Sequence, residues 1–176
     1  MQRTTESKIM GLILSVMVLR VVLTYPVLNH TFDETAHIGR AFELWEFRVF
    51  STDWIAPTTA LSIGALPFFA GVRSHIPADE SNFWARGNSV LYESGDYWRT
   101  LALSRLPILV FACASVLTVY ALGRRLLGSA QGLVAALVLS SDPSFVGHSG
   151  LATSEVAGTT GLLVATWLMF LYSGNP

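Results

Sequence analysis

Acidic and imidazole side chains that could support chemistry are concentrated in two short stretches of this 176-residue chain. In the first stretch, Asp33 and His37 are spaced one helical turn apart, so their side chains can meet on one face. A carboxylate beside an imidazole can form an acid–base pair or contribute to a metal site. A structural interpretation stands beside this one: Asp33 suits the positive end of a helix dipole, and His37 is a solvated helix residue.

The same stretch has the pattern of an amphipathic helix. Thr31 and Glu34 have capping-box spacing, in which the Thr31 hydroxyl accepts from the Glu34 N–H and the Glu34 carboxylate accepts from the Thr31 N–H. Glu34 therefore has a structural role available. Apolar residues then recur at helical spacing at Ile38, Phe42, Trp45 and Val49. Asp33, His37 and Arg40 lie on a different face of this helix. The pattern therefore predicts an amphipathic helix that lies on the outer leaflet of the bilayer.

The second stretch, SDPSFVGHSGLATSE, contains Asp142, His148 and Glu155. Glu155 is predicted to lie in the first turn of a helix, where a carboxylate is electrostatically favoured. A carboxylate at the outer mouth of a helix bundle is also where a polar site would be built. Both interpretations of Glu155 remain open from the sequence alone.

Long apolar runs must position these residues, since 52% of the chain is hydrophobic and only 13% is charged. A bilayer core needs roughly 17 to 25 helical residues to cross it. The sequence therefore predicts an all-α, multi-pass membrane protein with four spans, at about 9–29, 106–123, 126–141 and 156–173. A signal peptide is the competing interpretation of the first run, which is longer than a signal-peptide core.

Basic residues predict the orientation of the spans. Arg124 and Arg125 occupy a short predicted loop, and short loops with basic residues mark the cytoplasmic side, as do Arg3 and Lys8 at the N-terminus. Outer loops are then expected at 30–105 and 142–155. Under this topology the uncharged run Trp54–Val72 cannot cross, so it is predicted to be a helix that lies in the interface or dips into it.

One charged residue lies within the first predicted span. Arg20 is expected to face the bundle or a polar cavity, to extend toward the interface, or to pair with an outer carboxylate. Near-neutral net charge and the absence of a Lys/Arg-rich tract argue against nucleic-acid binding. Cys113 is alone, so the chain cannot form an internal disulfide.

The order of these segments resembles the GT-C glycosyltransferases related to protein O-mannosyltransferases. FDETAHIG is similar to the family's acidic start of the first outer loop, and YALGRRLLG to its basic cytoplasmic turn. The segments ALPFF and SRLPILV, and the stretch SSDPSFVGHSGLATSEVAG, are similar to family segments in the same order. The resemblance implies inverting transfer of a sugar, mannose being one candidate, from a polyprenyl-phosphate donor to an acceptor hydroxyl.

The resemblance also implies roles for individual residues. Asp33 matches the family's general base and Glu34 its adjacent acid, while Glu155 matches the acid of the second loop and His148 the histidine before it. By position, His37, Arg40 and Arg20 are further candidates for substrate binding. No cofactor is firmly implied, although a divalent metal is compatible with these residues. The expected partners are the bilayer, the lipid-linked donor and a hydroxyl-bearing acceptor, in a bacterial inner membrane with the site outside.

The sequence departs from the family pattern in two places. Where relatives carry EHPPL, this chain has Ile55, Ala56, Pro57, Thr58 and Thr59, so the charged and imidazole groups of that motif are missing. The second-loop acid is Glu155 rather than the commoner aspartate. The chain is also expected to be the N-terminal part of a longer enzyme. The alternative is a non-enzymatic membrane protein, either a transporter fragment or a degenerate assembly subunit, in which the acids only cap helices.

Overall fold

A computed structural model describes residues 2–49, 56–77 and 82–173, and within these ranges the chain is helical and contains no strand. The helices in chain order are α1 Gln2–Val22, α2 Phe32–Phe42, a π-helical segment Glu43–Phe47, α3 Pro57–Phe69, α4 Phe83–Tyr92, α5 Tyr97–Leu127, α6 Ser129–Ser141, α7 Pro143–Ser149 and α8 Glu155–Ser173. The all-α prediction is therefore confirmed for the described residues.

The chain divides into two compact units. The first, called the apolar unit, comprises residues 1–22, 110–149 and 155–176. The second, called the loop unit, comprises residues 23–109 and 150–154. The loop unit therefore takes most of the predicted first outer loop together with a five-residue piece of the second.

In the apolar unit, helices α5 and α6 pack closely against each other at two glycines. A Cβ on Gly123 would lie 3.0 Å from Gly132 Cα, and one on Gly132 would lie 2.7 Å from the Arg124 nitrogen. Gly128, at φ +108°, makes the turn between the helices, a backbone conformation that residues with a Cβ rarely adopt. The predicted basic turn is thus a tight helical hairpin, with Arg124 and Arg125 exposed at its end.

A buried hydroxyl pair connects α5 to α8. Ser115 and Thr160 are both buried, and their hydroxyl oxygens lie 2.9 Å apart. The Thr160 hydroxyl is also 2.9 Å from the Phe111 carbonyl oxygen. Where little hydrophobic force acts between helices, as in a lipid environment, such polar contacts and small residues hold helices together.

Among the described residues, two helices are long and apolar enough to cross a membrane, Tyr97–Leu127 and Glu155–Ser173, which is fewer than the four spans predicted. The third predicted span is the shorter apolar helix Ser129–Ser141. The first helix ends at Val22, seven residues before the predicted end of the first span, and turns follow it. The cause is local, because Pro26 lacks an N–H and restricts the residue before it.

The predicted amphipathic helix forms the centre of the loop unit. Helix α2 packs against α4 so closely that a Cβ on Gly39 would meet the Phe83 carbonyl, and one on Gly87 the Thr35 carbonyl. Helix α3 packs against the other end of α2. There the ring of Trp45, in the π-helical segment that follows α2, stacks on Phe68 with centroids 5.4 Å apart. The structure therefore buries most of α2 between other helices of the loop unit, whereas the sequence predicted a helix on the membrane surface.

The predicted interfacial segment Trp54–Val72 is helical over Pro57–Phe69, with Pro67 inside the helix. Trp54 lies outside the described residues. The sequence did not predict α4, nor the short helix α7 within the second loop, where the Asp142 carboxylate accepts from the Phe145 N–H at 2.7 Å.

Candidate functional site

Asp33 lies in the first turn of α2, with its side chain exposed. The position suits a carboxylate because the free N–H groups and the dipole of a helix N-terminus favour negative charge. Among the described residues no hydrogen bond or ion pair engages the Asp33 carboxylate, which is therefore accessible to an incoming molecule.

The neighbouring Glu34 is in the opposite situation, with none of its surface exposed. Its Oε1 accepts from Arg105 Nε and from the Ala152 N–H, each at 2.8 Å. Its Oε2 accepts from Arg105 Nη2 and from the Thr31 N–H, also at 2.8 Å. The bond from the Thr31 N–H is one of the two that the capping-box spacing predicted. Four donors thus surround one buried carboxylate.

Arg105 is the partner that the sequence did not identify. It is 1% exposed, and besides Glu34 it donates to the Leu28 carbonyl at 2.9 Å and to the Asn29 carbonyl at 3.0 Å. Its planar guanidinium therefore ties the chain before α2 to the carboxylate of α2 and to α5. One sequence signal was available, since an arginine at the edge of an apolar run usually has a buried polar partner.

The hydrogen bond from Ala152 brings part of the second predicted loop into this network. Residues 150–154 belong to the loop unit, and Glu155 directly follows them in the chain. The segment that precedes the second-loop acid is thus held by the first-loop acid, Glu34.

His37 and Arg40 follow on the same helix, and their predicted roles in substrate binding stay predictions. His37 is only 7% exposed. Arg40 Nη1 donates to Glu43 Oε2 at 2.6 Å, and its guanidinium lies 4.2 Å from the Phe83 ring centroid. Glu43 also lies 3.8 Å from the fully buried Arg86. The charge of Arg40 is therefore compensated within the loop unit.

The other three candidates belong to the apolar unit. Glu155 is the first residue of α8 and is exposed, at the helix end that favours a carboxylate. His148 is exposed in the last turn of α7. Arg20 is exposed near the end of α1 and lines a cleft of about 190 Å³ with Ser140 and Ser141. None of these placements tests the predicted roles, which stay predictions.

An aromatic cluster of the loop unit, also missed from the sequence, lies just before α2. It consists of His30, Tyr92, Tyr97 and Trp98. The Tyr97 hydroxyl oxygen lies 2.8 Å from His30 Nδ1 and accepts from the His30 N–H at 3.0 Å. Burial lowers the pKa of His30, with Glu34 acting in the opposite direction. The imidazole is therefore neutral at neutral pH.

No group of three or more His, Cys, Asp or Glu side chains with the arrangement of a metal site occurs among the described residues. What the loop unit offers instead is an accessible carboxylate, Asp33, on a helix whose next residue is fixed by a buried ion pair.

Comparison with known proteins supports the resemblance in the second half of the chain. Residues 100–174 match the family described as dolichyl-phosphate-mannose-protein mannosyltransferase. Neither a curated relative nor a solved structure was found to match the chain. The matched residues run from the start of α5 to the end of α8 and include Arg105, the basic turn and Glu155. Over residues 100–174, this chain is thus similar to that mannosyltransferase family.

Proposed function

We propose that this chain belongs to an inverting membrane glycosyltransferase. It transfers a sugar, mannose being the first candidate, from a polyprenyl-phosphate donor to an acceptor hydroxyl on the non-cytoplasmic side. The family match over residues 100–174 supports the reaction class. The assignment of Asp33 as the base rests on one contrast. Asp33 is exposed, whereas the Glu34 carboxylate is buried and accepts hydrogen bonds from four donors.

In the proposed reaction, the acceptor oxygen attacks the anomeric carbon as the bond from that carbon to the phosphate oxygen breaks. Asp33 takes the proton of the acceptor hydroxyl, and the phosphate leaves with the electron pair of the broken bond. General-base assistance of this kind contributes typically 10²- to 10⁴-fold. Glu34 cannot share this work while four donors surround it, so we assign it a positioning role together with Arg105.

The leaving phosphate needs a cation or hydrogen-bond donors to stabilise its charge. Arg40 is already paired with Glu43 at 2.6 Å, which weakens its candidacy. Arg20 remains a candidate because it is exposed beside a cleft with two serine residues. Glu155, His148 and His37 remain candidates by resemblance or position. A divalent metal is not required by the proposed reaction.

The proposed topology has four spans, with the N-terminus and the turn at Arg124 in the cytoplasm. Two helices of sufficient length and hydropathy, and the tight α5–α6 hairpin, support it. Single cysteines at Asn88 and Gln131, both exposed, are to be introduced in a Cys113→Ala background and labelled in intact cells. An impermeant thiol reagent should react at position 88 only. Equal reaction at both positions would contradict the four-span topology.

The reaction itself is tested with Asp33→Asn, which retains the shape of the side chain but removes the proton acceptor. Sugar transfer from synthetic polyprenyl-phosphate sugars is measured in membranes containing the complete gene product, with matched expression. We expect turnover to fall about 10²- to 10⁴-fold. Asp96→Asn is the matched control, because that residue is also exposed and an asparagine can still accept the bond from the Arg99 N–H.

Near-normal turnover of the Asp33→Asn variant would exclude Asp33 as the base and make Glu155 the first alternative. Absence of transfer by the unmodified gene product from every lipid-linked sugar tried would favour the non-enzymatic alternative, in which the acids serve only the fold.

A further inference from the structure

The hydrogen bonds around the Tyr97 hydroxyl favour one tautomer of the His30 ring. This oxygen accepts from the His30 backbone N–H, so its own proton is free to be donated. Among the described residues, His30 Nδ1, at 2.8 Å, is the acceptor in reach of that proton. Nδ1 is then unprotonated, and the proton of the neutral ring lies on Nε2. His30 therefore offers an Nε2–H donor that no described residue engages.

Aromatic surface surrounds this donor. Tyr92 is 62% exposed and Trp98 is 43% exposed, although both are large rings. Tyr92 stacks on Tyr97 with centroids 5.2 Å apart and an interplanar angle of 22°, so one face of Tyr92 is turned away from the cluster. The rings of His30 and Tyr92 are nearly perpendicular, at an interplanar angle of 79°, with centroids 5.7 Å apart. A neutral hydrogen-bond donor thus borders an exposed aromatic face.

We infer that the aromatic cluster is a carbohydrate-binding subsite, in which a hexopyranose lies on Tyr92 and one of its hydroxyls accepts from His30 Nε2. A pyranose ring has a face of weakly positive C–H groups, which the negative face of an aromatic ring attracts. The cluster itself carries no charged side chain, which fits a neutral ligand. This inference deepens the proposed function, on which the choice of a sugar rests.

The position of the donor is rigid. The carbonyls of Leu28 and Asn29, directly before His30, are both held by Arg105, and Tyr97 holds His30 itself on two atoms. A donor fixed before the ligand arrives loses little entropy on binding. Aromatic residues that only contact lipid headgroups would gain nothing from a fixed imidazole tautomer. The geometry therefore favours a sugar over the lipid interface as the partner.

The test uses the full chain purified in detergent and methyl α-D-mannopyranoside as the probe, with binding followed by saturation-transfer difference NMR. Tyr92→Leu should raise the Kd about 2- to 12-fold, the effect of losing one aromatic contact. His30→Phe, which retains a ring but removes the donor, should raise it about 2- to 12-fold. Tyr92→Phe retains the aromatic face and should leave the Kd unchanged. Tyr172→Leu, at a tyrosine 87% exposed on α8, is the matched control.

The outcomes separate this inference from the proposed function. Binding that depends on Tyr92 and His30 and persists in Asp33→Asn supports the subsite, whether or not transfer is detected. A second outcome is that Asp33→Asn abolishes transfer, whereas Tyr92→Leu changes neither the Kd of the sugar nor the KM. That outcome would support the proposed enzyme activity and overturn the subsite. No saturable signal, or an equal effect of Tyr172→Leu, would also overturn it. The subsite would also be overturned if brominated phosphatidylcholine in vesicles quenched Trp98 fluorescence and the sugar did not change that quenching.

Discussion

Replacing Glu34 by glutamine removes the charge from a carboxylate that is fully buried and accepts four hydrogen bonds, all at 2.8 Å. From the sequence alone Glu34→Gln is expected to be mild, because a glutamine can still accept the cap bond from Thr31. The structure predicts a large effect instead. The glutamine amide nitrogen would face N–H donors, and the guanidinium of Arg105 would remain buried without a counter-ion.

The size of the effect follows from these contacts. Each hydrogen bond to a charged group contributes ~1.5–3 kcal/mol, so four treated as additive would give ~6–12 kcal/mol. That sum is too large, since the bonds share one group and the glutamine oxygen retains some of them. Removing one partner of a buried ion pair costs about 3–5 kcal/mol, which is the expected loss of unfolding free energy. In a chain of this size that loss corresponds to a fall in Tm of roughly 6–20 °C.

The assay is thermal and denaturant unfolding of the purified chain in detergent, followed by circular dichroism. Asp33→Asn is the control, since the neighbouring acid is exposed and its replacement should cost less than about 1 kcal/mol. Arg105→Met and the double variant complete a cycle, in which the coupling free energy should lie at the upper end of roughly 0.5–3 kcal/mol. If Glu34→Gln is no more destabilising than Asp33→Asn, the buried pair does not hold the loop unit together as described.

Three further predictions concern other contacts. Gly132→Ala should destabilise the α5–α6 hairpin, because its Cβ would lie 2.7 Å from the Arg124 nitrogen; an unchanged Tm would contradict the close approach. Thr160→Val should cost about 0.6–1.7 kcal/mol by losing the bond to Ser115, whereas Thr160→Ser should cost less in the same unfolding assay. Burial raises the pKa of Glu46, so its protonated form stabilises the fold at low pH, and that contribution is lost as pH rises through the folded-state pKa. Glu46→Gln should therefore gain stability relative to the parent as the pH rises above 4.5, and parallel pH profiles would refute this.

Local patterns predicted the helices well where one cause dominates. The 3.6-residue spacing after Thr31 identified α2, and apolar runs identified α6 and α8. The end of α1 was predicted too late, because hydropathy continues past Val22 whereas backbone geometry at Pro26 does not.

The partners of the site residues could not be predicted from local spacing. Arg105 lies 71 residues from Glu34, and Ala152 lies 118 residues from it, so neither contact leaves a periodic signal. The burial of α2 depends on Gly39 and Gly87, two small residues whose role appears only once the helices they bring together are known. Asp33 and Glu34 are adjacent in the sequence and equivalent in chemistry, and only the tertiary contacts distinguish an accessible acid from a structural one.

The bond between Glu34 and Ala152 also limits how early the loop unit can finish folding during synthesis. At about 5–20 residues per second, the ribosome needs roughly 6–24 s to add the 118 residues that separate these partners. During that interval Glu34 lacks one donor, and before residue 105 emerges it lacks its cation as well. A nascent chain paused before α5 would therefore keep this carboxylate hydrated and α2 loosely docked. Maturation of the loop unit should occur late and abruptly, when residues 150–152 leave the exit tunnel.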